Sequence, residues 1–484
     1  MKRLIIIAMM LAAFTASQAQ GHFNAGKESK AVSADALEKG TYVGRYDDND
    51  VWLNSVRKGW RVTVLNRDLE VVQTAEMEIK ADRLLAATMN GNTATLLLSS
   101  EDKRRTDVLV AHLSLEGEST VDTLDTYQLP NRKDKCMLWG ARSFLGNYMA
   151  VVAVRQFRDS SEYVSTAYLV SSRGNMVYGR EFAMTSFDQM LVTDDGRIAT
   201  LGIENTDAGV DVMVNYVSSN VNSTGRYTMD CDPIRDVRLV NVVGNRLLGI
   251  GTTYARKRHN DKVINGTLTF AYDLDSNKVY DYEAHNFTLE DVNTLYNNYF
   301  KKKQRHLTAE NVAVLGSVPT SYGGAMAITR SFVDMKSTND GVVHHTYMNL
   351  GIHMVGVNVE GKVAWVYNIR CNDNQENSND DLRIGLSSDG DNIYVYKNES
   401  RKDPAEYDFM RVAKAQKAGK RGNLVRYRIS NGDIPEKLVL ERKSKHAFLL
   451  VTDAQEIFTV NGRKVRRGTV SEIDDAVEEV PAEE

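Results

Sequence analysis

Five times along the chain an acidic residue stands three positions before a small or branched apolar pair. The segments are Asp82-Arg83-Leu84-Leu85-Ala86, Asp188-Gln189-Met190-Leu191-Val192, Asp236-Val237-Arg238-Leu239-Val240, Glu310-Asn311-Val312-Ala313-Val314 and Asp381-Leu382-Arg383-Ile384-Gly385. In four of them a glycine follows eight or nine residues after the acid (Gly91, Gly196, Gly244, Gly390). Internal repetition at this spacing is the mark of a repeat architecture. Between the echoes, short alternating strands recur with turn signals, and helical periodicity is nearly absent. The unit 82–129 is the clearest. Leu84 to Met89 is apolar and Asn90-Gly91-Asn92 turns, Ala94 to Ser99 leads into a charged loop, Asp107 to Leu115 alternates, and Val121 to Leu129 closes the unit. Four antiparallel strands in about 47 residues make one propeller blade. The expected fold is therefore an all-β β-propeller.

The same grammar places further blades at 142–184, 188–229, 236–287, 310–369 and 381–440. A closing blade is assembled from 60–79 and 447–467, because joining strands from both termini removes sheet edges that would otherwise aggregate. The count is seven, with six or eight as neighbouring counts, inside a propeller region of 41–471. No named blade signature is present.

One segment departs from the strand pattern. Thr288 to Gln304 carries Leu289, Val292, Leu295, Tyr296, Tyr299 and Phe300 at helical spacing, with Thr288 and Asp291 as a capping pair. It predicts one inserted amphipathic helix of about four turns.

The N-terminus reads as a secretory signal over 1–19. Lys2 and Arg3 precede the apolar stretch Leu4 to Phe14 and the small-residue site Ser17-Gln18-Ala19. The leader resembles those of Bacteroidota envelope proteins, which implies export to the periplasm, the outer membrane or the cell exterior. Residues 20–40 read as a linker, and 472–484 as an acidic tail. No later segment has the apolar length of a transmembrane helix. The formal charge is −4, and it becomes more negative by two if Lys2 and Arg3 leave with the leader. That balance argues against a general nucleic-acid binder. The three cysteines, Cys136, Cys231 and Cys371, fit no metal or redox spacing, and whether two of them pair stays open.

Two surfaces compete as the place of function. Long loops cluster cations at Arg104 and Arg105, at Arg256, Lys257 and Arg258, at Lys302 and Lys303 after the helix, and at Arg411 and Lys414 in a second insertion. Together they would form a basic face for an anionic glycan or a partner protein. The plainer reading is that exposed loops need charge for solubility. The repeated acids Asp82, Asp188, Asp236, Glu310 and Asp381 offer the second surface, a ring of carboxylates that would supply acid and base to a glycan-active hydrolase or lyase. Against that, an Asp before a strand commonly accepts backbone N–H bonds, and a role repeated per blade is structural more often than catalytic. A third reading docks the protein into an envelope complex through Tyr299 and Phe300 of the helix. Asp273, Asp275, Asn277 and Asp281 have partial calcium-loop spacing but read better as a hairpin turn. His344, His345 and His353 have no metal-ligand spacing. No cofactor is expected, and no nucleophile elbow, metalloprotease helix or phosphate loop is present. The expected function is an exported binding or scaffold protein, with an enzymatic role leaning to no.

Overall fold

The computed structural model describes residues 21–131, 133–157, 163–184, 186–256, 263–296, 307–330, 333–339, 341–376, 383–399, 422–431, 433, 435–452 and 455–472. Among them the chain is almost wholly β. It forms eight antiparallel sheets, with short helices at Ala34–Glu38 and Leu289–Tyr296. Each sheet is a blade whose strands follow one another in chain order, apart from the exceptions described below. The protein is an eight-bladed β-propeller, not the seven-bladed one expected.

Two compact units divide the chain. The larger (29–331 with 351–370) holds six blades. Blade 1 is Thr41–Tyr46, Asn49–Val56, Gly59–Leu65 and Val71–Glu78. Blade 2 is Arg83–Asn90, Thr93–Asp102, Arg105–Ser114 and Ser119–Gln128. Blade 3 is Lys135–Arg142, Tyr148–Gln156, Tyr163–Ser171 and Met176–Met184. Blade 4 is Gln189–Val192, Ile198–Asn205, Val210–Val217 and Asn222–Met229. Blade 5 is Ile234–Val243, Arg246–Tyr254, Val263–Asp273 and Lys278–Asn286, and the short strand Ala309–Glu310 pairs onto its third strand. Blade 6 is Val312–Thr320, Gly323–Arg330, the 352–358 half of Val342–Asn358, and Val363–Glu376. The 342–348 half of Val342–Asn358, which falls in the smaller unit, instead pairs with Val333–Asn339 as a hairpin.

The smaller unit holds blades 7 and 8. Blade 7 is Ile384–Ser388, Asn392–Glu399, Gly422–Ser430 and Glu436–Ser444. Blade 8 is Ala447–Val451, Glu456–Asn461 and Lys464–Glu472, completed by Gly21–Ala25 from the other end of the chain. This joining of first and last strands covers the edge of the Lys464–Glu472 strand. Phe23 packs against the cluster of Tyr394, Tyr396, Phe448 and Ile457, and Gly468 opposite has no Cβ to collide with its ring.

The miscount has an identifiable cause. Strands 60–79 were assigned to a closing blade with 447–467, but they are the outer half of blade 1. Its inner half, Thr41–Tyr46 and Asn49–Val56, turns through Asp47 and Asp48, both at positive φ (45° and 61°). That is the backbone of a two-residue primed turn, normally marked by Asn-Gly or Asp-Gly. Asp-Asp gives the turn without the usual signature. The segment 20–40, expected as a linker, supplies the last strand of blade 8 and the helix Ala34–Glu38.

Burial follows the alternation of each blade. The second strands of blades 2 and 3 carry unbroken buried runs, Ala94–Ser99 and Met149–Val154. The fourth strands, such as Val71–Glu78 and Ser119–Gln128, are largely exposed. The first strands of blades 1, 2 and 6 each break register once, at Tyr42/Gly44, Leu84/Ala86 and Val314/Gly316, and that of blade 5 breaks it twice, at Ile234/Asp236 and Leu239/Asn241. Bulges of this kind raise local twist and re-aim side chains.

Candidate functional site

Two of the repeated acids, Asp82 and Asp188, bond the backbone of their own blades. Asp82 precedes the first strand of blade 2. Its backbone N–H donates to Ser99 O (2.7 Å) and its Oδ2 accepts from the Glu101 N–H (2.5 Å). Asp188 repeats this in blade 4, donating to Leu201 O (2.8 Å) and accepting from the Ile203 N–H (2.6 Å). In both, the acid extends the ladder by one backbone bond and staples the next N–H of the second strand with its carboxylate. Asp236 instead sits beside Arg235, whose Nε donates to it (2.6 Å), and Arg235 Nη2 reaches Val312 O on blade 6 (2.6 Å). The Glu310 N–H donates to the Tyr296 hydroxyl (2.7 Å). Asp381 lies outside the described residues. Arg83 donates to Leu138 O of blade 3.

Of the loop cations, Arg104 is exposed. Arg105 pairs with Asp107 (2.8 Å). Arg256 donates to Asp207 O and to Cys231 O (2.5 Å), so its guanidinium braces the loop it belongs to. Lys257, Arg258, Tyr299, Phe300, Lys302, Lys303, Arg411 and Lys414 lie outside the described residues. Asp273 Oδ1 accepts the N–H groups of Asp275 and Ser276 (3.1 and 2.8 Å) in a tight turn between two strands. Cys136 and Cys231 are free thiols, pushed by burial up to about 12 and about 11.

A cleft of about 440 Å³ lies at the opposite ends of the first strands, where they turn into the second. Arg142 and Phe144 of blade 3, Asp194 and Arg197 of blade 4, Asn241 of blade 5 and Ser317 of blade 6 are among its walls. Arg197 is held by Asp195 (2.8 Å) and by the Tyr216 hydroxyl (2.8 Å). Asn241 Nδ2 donates to Thr320 O and Gly323 O (2.7 and 2.8 Å), tying blade 5 to blade 6.

The blade 3 turn at the cleft carries two exposed apolar side chains, Phe144 at 64% and Leu145 at 71%. The turn is clamped from both sides. The Leu145 N–H donates to Asp194 Oδ1 of blade 4 (2.9 Å), and Thr88 Oγ1 of blade 2 donates to Gly146 O (2.9 Å). Gly146 has φ +78°, where an L side chain would be strained, and an added Cβ would lie 2.7 Å from Thr88 Oγ1. Single exposed apolar residues are ordinary on a protein surface. An adjacent pair on a turn held in one shape by its neighbours would lose little ordering entropy on contact with another surface.

A second constellation lies between blades 5 and 6. Helix Leu289–Tyr296 buries Val292, Leu295 and Tyr296 in a cluster with Ile264, Phe287 and Met326. Its cap is the one the spacing implied. Thr288 Oγ1 accepts the Asp291 N–H (3.2 Å), and Asp291 Oδ2 accepts the Thr288 N–H (2.7 Å). The same carboxylate meets His285 Nε2 through Oδ2 (2.9 Å), and Asn368 Nδ2 donates to Oδ1 (2.7 Å). His353 Nδ1 is 3.4 Å from Asp291 Oδ1 and 3.0 Å from Asn368 Oδ1. The rings of His285 and His353 stack with centroids 5.7 Å apart. Burial pushes the Asp291 carboxyl up, but the hydrogen bonds from His285 and His353 outweigh it and hold the group well below the usual carboxylate range. Gly351 makes the assembly possible. A Cβ there would sit 2.2 Å from Thr294 O, so glycine lets the strand bearing His353 lie against the helix backbone. His285 and His353 come from distant parts of the chain, and no local spacing could have joined them. Only Thr288-x-x-Asp291 left a trace in the sequence.

No protein-family model matches this chain, and no curated protein matches it. Similar solved structures include the Dos1 propeller (11% identity, covering 81% of this chain and 93% of that one, TM-score 0.34). The β-propeller domain of the Trilobed protease from Pyrococcus furiosus is similar at 10% identity (84% and 98% covered, TM-score 0.34). So is the polysaccharide lyase Uly1 at 10% identity (93% and 100%, TM-score 0.33). Likenesses this distant carry no argument about what this chain does. Among the described residues no helix is long and apolar enough to cross a membrane.

Proposed function

We propose that this propeller is a binding and scaffold protein of the bacterial cell envelope, exported on its N-terminal leader, and that its partner is a protein seated on the Phe144–Leu145 turn beside the cleft. The clamped turn carries the proposal. Exposing two large apolar side chains costs solubility, and the bonds from Asp194 and Thr88 hold the turn in a single shape, so little ordering entropy is lost on binding. The rim favours a polypeptide over an anionic glycan. Arg142, Asp194, Asp195 and Arg197 present both signs of charge, and Arg197 is already neutralised by Asp195. The glycan-hydrolase reading finds little support, because Asp82 and Asp188 serve their own ladders. The export reading rests on Lys2, Arg3, Leu4 to Phe14 and Ser17-Gln18-Ala19.

A second reading, an anionic glycan or protein held by the basic loops, is favoured by exposed Arg104. One capture experiment from an envelope fraction separates the two. The pair Phe144→Asp/Leu145→Asp is expected to lower partner recovery at least about tenfold while leaving the fold intact, and Lys257→Glu/Arg258→Glu to leave recovery unchanged. Loss in the charge-reversal variant alone would transfer the function to the loops. Arg256 is unsuited to this test, because it bonds Asp207 O and Cys231 O.

A further inference from the structure

We infer that His285, Asp291 and His353 form a binding site for one divalent cation of the zinc class, set between blades 5 and 6. The donor set is two imidazole nitrogens and one carboxylate, which suits zinc and its first-row neighbours better than calcium or magnesium. His285 Nε2, His353 Nδ1 and a carboxylate oxygen of Asp291 lie within 4.8 Å of one another. The nitrogen-to-oxygen separations are 2.9 and 3.4 Å. The two distances run to different oxygens of the carboxylate, and ligands held at about 2.1 Å from a tetrahedral zinc stand roughly 3.4 Å apart, so side-chain movements of about 1 Å bring both nitrogens and one oxygen around such an ion.

Each ligand comes from a different element: the fourth strand of blade 5, the helix and the third strand of blade 6. None can move without its scaffold. Outer partners are in place as well. Asn368 Nδ2 and the Thr288 N–H fix the carboxylate, and Phe287 sets its ring edge-on to His353 at 5.3 Å. Such supporting contacts orient metal ligands and tune their basicity.

Charge balance points the same way. Asp291 is 2% exposed, and no lysine or arginine among the described residues pairs with it. A buried carboxylate needs a compensating cation. His353 is fully buried, and among the described residues its Nε2 makes no hydrogen bond. The side chain of His285 is 20% exposed, which leaves a route for the ion and room for water as a further ligand.

The test uses the full chain, stripped with a chelator and titrated with zinc alone and cobalt(II) alone. Expected are about one equivalent of zinc per chain by elemental analysis, visible absorption of four-coordinate cobalt that zinc abolishes, and a rise of a few degrees in unfolding temperature with zinc. His285→Ala is expected to weaken zinc affinity at least about tenfold, and His344→Ala to leave it unchanged. Equal zinc binding by the wild type and His285→Ala, or no cobalt spectrum in the wild type, would overturn the site and leave the cluster a hydrogen-bonded brace. The cobalt spectrum is read on the unaltered protein, so it decides the matter even if His285→Ala does not fold.

Discussion

The carboxylates of Asp82 and Asp188 take the same place in their blades, each accepting the N–H two residues beyond the carbonyl that its own backbone bonds. Their recurrence was legible in the sequence because the device is local, one residue ahead of a strand. Its purpose was legible in part: an acid ahead of a strand commonly accepts backbone N–H bonds, as these two do, but an acid that donates a proton has the same letter. Asp236 makes the point, since it shares the echo but bonds Arg235 instead. If acceptor capacity is what matters, Asp188→Ala lowers unfolding free energy by about 1 kcal/mol in urea titration, while Asp188→Asn, which keeps an oxygen facing Ile203, loses less than half of that. Equal losses in the two variants would assign the role to charge. His353 shows the opposite limit. Its partners His285, Asp291 and Asn368 come from three other elements, and no periodicity along one strand records such a meeting.

At the scale of elements, alternation and turn chemistry made the strands of blade 2 readable, and the Thr288–Asp291 cap located the start of the helix. Blade 1 was half hidden because Asp47 and Asp48 adopt positive φ without the glycine that normally announces it. The strand Gly21–Ala25 was hidden for a different reason. It is five residues long and polar apart from Phe23 and Ala25, so its strand character comes from pairing with Gly468–Glu472 and not from its own propensity. Blade 7 carries a charge cluster that strand patterning also missed. Glu399 is buried, yet Lys397 at 3.9 Å, Lys437 and the Tyr427 hydroxyl surround it. Burial pushes its carboxyl up, and the two lysines and the hydrogen bonds overcome that and hold it below its ordinary value of 4.5. A depressed carboxyl stabilises the fold above its unfolded value and loses that contribution as pH falls. Glu399→Gln is therefore expected to cost about 2 kcal/mol at pH 7, less than for a fully buried pair because Lys437 is partly exposed. The gap between variant and wild type should narrow below pH 4.5, where the unfolded wild type takes up a proton that the native state does not. Thermal unfolding across pH 3 to 7 measures it, and a gap independent of pH would rule the charge cluster out as its source.

For the molecule as a whole, repetition gave the architecture and withheld the function. Sheets of one repeated design can be read from recurring turns and alternation, although the reading gave seven where the structure has eight, and a binding surface lies where the repeats differ from one another. Blade 3 differs at Phe144 and Leu145, where blade 4 has Asp194 and Asp195 in the corresponding turn. The length and charge of the basic loops are visible in a sequence, whereas the clamping of a short turn by Asp194 and Thr88 is visible only in three dimensions. The claim that this turn is the partner surface is tested most directly by placing a photo-crosslinking residue at position 144 in living cells, with position 92 in the blade 2 turn as the control. A discrete crosslinked partner band from position 144, absent at position 92, is the result expected. No band from position 144, or the same band from both positions, would contradict it.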